Sequence, residues 1–143
     1  MIYPIHPFTV HIPIGLLLAC LLFTIISLRG GEPSWEVSAY HCLIVGWFGS
    51  VAAVISGLIE AALQFTGPAG ASKQALLGLA NTHAIVGIAI MLIYGRALLL
   101  RRRNPTIVRD PQARRGYLSL LIGGALLIII GGWLGGNLSK LSS

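Results

Sequence analysis

Charge is scarce in this sequence. Only 10% of its 143 residues are Asp, Glu, Lys or Arg, where a water-soluble domain carries about 25%. Acidic residues are scarcest, with Glu32, Glu36, Glu60 and Asp110 the full set. The two cysteines, Cys20 and Cys42, are too few for a disulfide framework. There is no phosphate loop, nucleophile elbow or metalloprotease motif. There is also no C-x-x-C-H, so any haem would be held non-covalently. A chain so poor in charge cannot cover a water-facing surface. That excludes a cytosolic enzyme, a nucleic-acid-binding domain and a disordered tail. Apolar residues make up 55% of the sequence and the mean hydropathy is +0.83. The solvent these residues match is lipid.

Four apolar runs follow one another, at about 7–28, 38–65, 73–101 and 116–138. Each approaches or exceeds the roughly 20 residues that cross a bilayer as a helix. Helices are the open-chain structure that satisfies its own backbone hydrogen bonds in lipid. The sequence therefore predicts an all-α integral membrane four-helix bundle, with residues 1–143 as one transmembrane domain. The first run lacks a basic leader and a small-residue cleavage site and is too long for a signal peptide. Arg96, Arg101, Arg102, Arg103, Arg109, Arg114 and Arg115 crowd around the third connection, and Arg29 lies in the first. Lys73 and Lys140 are on the other side. The positive-inside rule then places both termini outside the cytoplasm of a bacterial inner membrane. The arginines read as a topology anchor rather than as a nucleic-acid or lipid site.

The chain echoes itself. His11-Ile-Pro-Ile-Gly15 and His83-Ala-Ile-Val-Gly87 share His-x-x-x-Gly, and the Gly57–Leu63 and Gly132–Leu138 segments share a weaker likeness. Two parallel hairpin repeats, related by an axis along the membrane normal, would set His11 and His83 at one depth.

Titratable groups inside a span are costly and point to function. Here they gather toward one face: His6 and His11 at the start of the first run, Glu60 near the end of the second, and His83 early in the third. Glu60 shares a helical face with Gly57, Ser56, Ala53, Gly49 and Gly46, a row of small residues of the kind where membrane helices approach closely. Gly15 and Gly87 lie one turn below His11 and His83 and clear space there. Three chemistries suit the cluster. His11 and His83 could ligate one b-type haem, with His6 and Lys73 beside its propionates. His6, His11, His83 and Glu60 could instead close on a zinc, copper or iron ion. Glu60 could accept protons when a quinol is oxidised. A hydrogen-bonded plug that fixes helix register is the bland alternative. Haem comes first among the named chemistries. His41 and Cys42 read as an interfacial pair, Cys20 as a small apolar filler, and Pro13 as a kink. Tyr3, Phe8, Trp35, Tyr40 and Tyr117 read as interface belts.

The opening His6-Pro-Phe-Thr-Val-His11-Ile-Pro-Ile-Gly15 resembles the start of the bacterial membrane proteins called domain of unknown function 2231. Glu60 after a Gly-rich second helix, His83, and Gly131-Gly-Trp-Leu-Gly-Gly136 follow in the same order, so the resemblance spans nearly the whole chain. It implies a four-helix membrane protein. Because some relatives are joined to a Rieske iron–sulfur domain, it also implies a redox setting. Glu60 stands where Asp is more usual. The sequence ends at Lys140-Leu-Ser-Ser143 without the His-containing tail of many relatives, whose role would then be absent here or supplied by a partner. The expected function is an electron-transfer or accessory subunit of a membrane complex rather than a stand-alone enzyme. A structural or pigment-binding subunit is the alternative.

Overall fold

The computed structural model describes the backbone of residues 6–64 and 71–142, and the side chains of 9–59, 61–62 and 77–138. Four helices account for it: α1 (His6–Leu28), α2 (Pro33–Gln64), α3 (Ala71–Arg103) and α4 (Pro111–Ser142). Each contains a membrane-length apolar stretch, Thr9–Leu28, Pro33–Ile59, Leu77–Arg103 and Pro111–Leu138 in turn. The helices stand in a ring, with α1 against α2, α2 against α3, α3 against α4 and α4 closing lightly on α1. Among the described residues the backbones of the diagonal pairs α1/α3 and α2/α4 do not come within 8 Å, Cα to Cα. The bundle is up-and-down. One end carries both chain termini and His83 and is called the histidine end. The other carries the α1–α2 and α3–α4 connections and is called the arginine end.

Helix ends are set by caps, and two of them lie beyond the apolar runs. α2 begins at Pro33 and α4 at Pro111, each about five residues before its run. Proline favours the first helical position because its missing N–H has no intrahelical partner there. Asp110 caps α4, its Oδ1 accepting from the amides of Gln112 at 3.0 Å and Ala113 at 3.3 Å. α1 ends in a Schellman turn. The Gly31 amide reaches back to the Ile26 carbonyl at 3.1 Å, and Gly30 takes φ +93°, which only glycine adopts at no cost. Hydropathy marks where lipid is, and these helices continue past it into the headgroup layer.

Lipid tails are as apolar as leucine, so burial alone does not hold membrane helices together. Close packing and interhelical hydrogen bonds do. α1 meets α2 over Gly46 and Gly49, where an added Cβ would stand 2.9 Å from Leu17 and 3.0 Å from Pro13. Pro13 is thus a packing residue in a continuous helix. Trp47 of α2 donates Nε1–H to the Met91 carbonyl of α3 at 3.0 Å, lying across Gly95. Tyr94 of α3 lies on Gly124 of α4 and reaches the Leu121 carbonyl at 3.4 Å. Among the described residues the fully buried large side chains, Leu17, Leu43, Tyr94, Tyr117 and Leu121, run from the middle of the bundle to the arginine end. There the α3–α4 loop plugs the bundle with Ile107 and Val108, 3% and 4% exposed. Tyr117 is therefore a core residue with its hydroxyl against the Cys20 thiol, which corrects its reading as an interface aromatic. Among the described residues of the histidine half, those buried include Pro13, Ala53, Ile128, Gly131 and Leu134.

The seam makes a paired prediction. An added Cβ at Gly124 would stand 2.5 Å from the Tyr94 ring, whereas at Gly123 it meets nothing within 4 Å. Gly124→Ala is expected to destabilise the bundle by roughly 1–3 kcal/mol through overpacking. Gly123→Ala should be neutral or stabilising, because alanine is the better helix former. Thermal unfolding of the two variants in detergent checks the difference, and equal melting temperatures would contradict this packing.

Candidate functional site

The inward faces of the helices are fixed by what they bury. On α1 that stripe is Pro13, Leu17, Cys20 and Thr24; on α2 it is Ala39, Leu43, Gly46, Ser50 and Ala53. On α3 it includes Tyr94 and Ala97, and on α4 Tyr117, Leu121, Gly124, Ile128 and Gly131. The α3 stripe continues outward through Ile90 and Gly87 to His83, which therefore points into the bundle at its histidine end. His83 is half-buried, with Nδ1 shielded from solvent. Its ring lies on Gly135 of α4, where a Cβ would stand 3.2 Å from Cε1. Nearby, Thr9 and Ser56 join α1 to α2 by a hydroxyl–hydroxyl hydrogen bond of 3.0 Å, and Ser56 also donates to the Ala53 carbonyl.

The other expected site residues distribute differently. His11 is exposed. It lies two residues from Pro13, roughly 160° round the helix from the buried stripe. Gly15 is exposed with nothing within 4 Å of an added Cβ, and Gly87 faces Val54 at 3.9 Å. The side chains of His6, Glu60 and Lys73 lie outside the described residues. Their helical positions still have a register. His6 is seven residues before Pro13 and Glu60 seven after Ala53, so both continue the inward stripes of α1 and α2.

Depth separates the two α1 histidines further. Thr9 pairs with Ser56 across α1 and α2, and Gly87 faces Val54 across α2 and α3. Counting from these contacts, His11 stands level with Gly87, about one turn or ~6 Å deeper than His83. The position level with His83 on α1 is about residue 7, next to His6, and Glu60 falls within a turn of both. The His-x-x-x-Gly match thus aligns two histidines that stand at different depths. Among the described residues no three His, Cys, Asp or Glu side chains come together as a metal-ion cluster.

The architecture of the chain now agrees with a comparison. The family model described as a predicted membrane protein (DUF2231) matches residues 2–141. The chain belongs to the DUF2231 family. No curated protein and no solved structure matches it.

This DUF2231 protein has a second polar constellation, at the arginine end, that its sequence did not announce. Glu36, 8% exposed in the first turn of α2, takes Arg101 of α3 at 2.6 Å and Arg109 of the α3–α4 loop at 3.4 Å. Arg101 also donates to the Pro105 carbonyl and lies over the Tyr40 ring, 5.8 Å from its centroid. One buried carboxylate thereby ties α2 to α3 and to the loop that caps the bundle. The sequence signal was thin: an acidic residue early in a helix reads as a charge that suits the N-terminal dipole. His41 is exposed beside Tyr40, and Cys42 is half-buried.

Proposed function

We propose that the histidine end of the bundle is a metal centre in which His83, His6 and Glu60 supply two imidazoles and a carboxylate. In this reading the protein serves as the membrane subunit of an electron-transfer complex, where a quinol is the reductant class it would meet in the bilayer. One feature carries the reading: by helical register, two histidine positions and one glutamate position fall within about a turn of one another along the buried stripes of α1, α2 and α3. Two histidines and one carboxylate suit a divalent first-row ion with open positions, iron in a redox role. Bound, the ion would supply the electron-accepting centre. The chain's own part is to fix the two rings and keep lipid away from them.

A b-type haem is the second reading, favoured by the diagonal helices α1 and α3 standing apart along the bundle axis. A histidine from each could face a macrocycle there. The register supports His6 rather than His11 as the partner of His83. Metal analysis and an absorption spectrum of the purified protein separate the two. About one equivalent of iron without a Soret band supports the ion, and a Soret band with sharp reduced bands supports haem. A metal-free, spectrally silent protein would sink both.

The arginines further support an orientation with both termini outside the cytoplasm of a bacterial inner membrane. A reporter fused after Ser143 is expected to behave as extracytoplasmic. Cytoplasmic activity of that fusion would reverse the orientation and put the histidine end on the inner face.

A further inference from the structure

A cleft of about 210 Å³ opens at the arginine end, lined among others by Ser27, Leu28, Gly31, Glu36, Arg109 and Arg114. It is smaller than the pockets that enclose small-molecule ligands. Its position is informative. Leu28 ends the α1 span, Pro33 begins the α2 span, and Arg114 stands three residues into the α4 span. The cleft therefore lies where three spans leave the hydrocarbon, at the depth of lipid headgroups.

Its charge is unbalanced. Glu36 is already engaged by Arg101 at 2.6 Å, while Arg109 touches it only at 3.4 Å with a side chain 66% exposed. Arg114 is half-buried, and its guanidinium has no ion-pair partner among the described residues. A half-buried arginine is costly to leave without an anion, and arginine pairs readily with phosphate oxygens. A topology signal needs positive charge on one side of the membrane. It does not need a guanidinium set into a cleft. On the lipid side, Gly31 packs on Trp35 and Trp35 on Phe23 with centroids 5.2 Å apart, and Trp35 is 37% exposed. This apolar, aromatic surface offers acyl chains a path down from the cleft.

We infer that this cleft is a binding site for the phosphate of an anionic phospholipid, held by Arg109 and Arg114 with its acyl chains along the Phe23–Trp35 face. The site is independent of the histidine end. Basic pockets between spans are where such headgroups are held.

The test is native mass spectrometry of the full chain released from micelles containing phosphatidylglycerol or phosphatidylcholine. One phosphatidylglycerol is expected to remain bound where phosphatidylcholine does not. Arg109→Gln/Arg114→Gln should lower its retention roughly tenfold. Arg103→Gln/Arg115→Gln, which removes the same charge outside the cleft, should change it less than about twofold. Arg114→Gln alone breaks no side-chain hydrogen bond or ion pair among the described residues, so a severalfold loss in that variant supports the site even if the double variant folds poorly. Equal retention of the two lipids would overturn the proposal, as would equal losses in the two double variants. Displacement of the lipid by millimolar inorganic phosphate would also overturn it, showing a free anion as the ligand.

Discussion

Glu36→Ala is expected to cost on the order of 3 kcal/mol, because breaking a buried pair strands its partner. Both side chains of the Glu36–Arg101 pair are only 10% exposed. Arg101 would keep the Pro105 carbonyl and the Tyr40 ring but lose its counter-ion. Arg109 would lose its hold on α2 as well, so the effect should reach the loop that seats Ile107 and Val108 in the bundle. Two measurements read this. Unfolding in detergent should shift by several degrees, and trypsin should cut near Arg109 sooner than in wild type. The double variant Glu36→Met/Arg101→Met should recover much of the loss, since an apolar pair often replaces a buried ion pair without penalty. A Glu36→Ala variant less than about 1 kcal/mol below wild type would mean that the pair adds specificity but little strength.

That pair also shows where a sequence stops being readable. The four spans were plain because hydropathy reports the solvent directly. The helix ends were not, since α2 and α4 start at Pro33 and Pro111, about five residues before the apolar runs read from the sequence. Tyr117 looked interfacial because it lies near a span end beside arginines, yet it shares the buried stripe of Leu121 and Gly124 and so turns inward. Glu36 and Arg101 lie 65 residues apart, and only the antiparallel packing of α2 and α3 joins them.

The histidine end was legible in kind and misleading in detail. That the titratable residues gather at one end followed from helix direction alone. Which α1 histidine faces inward did not. α1 is apolar all round, so its sequence has no polar face from which to read a phase. The repeat match supplied a phase by analogy and chose His11. The phase set by packing comes from Gly46 and Gly49, which receive Leu17 and Pro13, and position 6 is seven residues from Pro13 on that same stripe.

The ligand assignment therefore rests on a contrast between two histidines five residues apart, and mutation separates them cleanly. His83→Ala is expected to abolish metal or haem binding, because His83 is the one described imidazole aimed into the bundle. His6→Ala should weaken binding beyond the ten- to hundredfold typical of a lost outer-shell partner. His11→Ala should leave occupancy unchanged, and His41→Ala, at the opposite end, serves as a control. Glu60→Gln keeps shape and a hydrogen bond but removes the charged ligand, so it should lose an ion and keep a haem. If Glu60→Gln retains the cofactor and changes only the pH dependence of electron transfer, Glu60 is a proton acceptor rather than a ligand. The decisive outcome is the pair on α1. Should His11→Ala strip the cofactor while His6→Ala retains it, the His-x-x-x-Gly repeat governs the site, and α1 must turn by nearly half a revolution when the cofactor binds. If His6→Ala strips it and His11→Ala does not, the packing of Pro13 on Gly49 has fixed which histidine the centre uses.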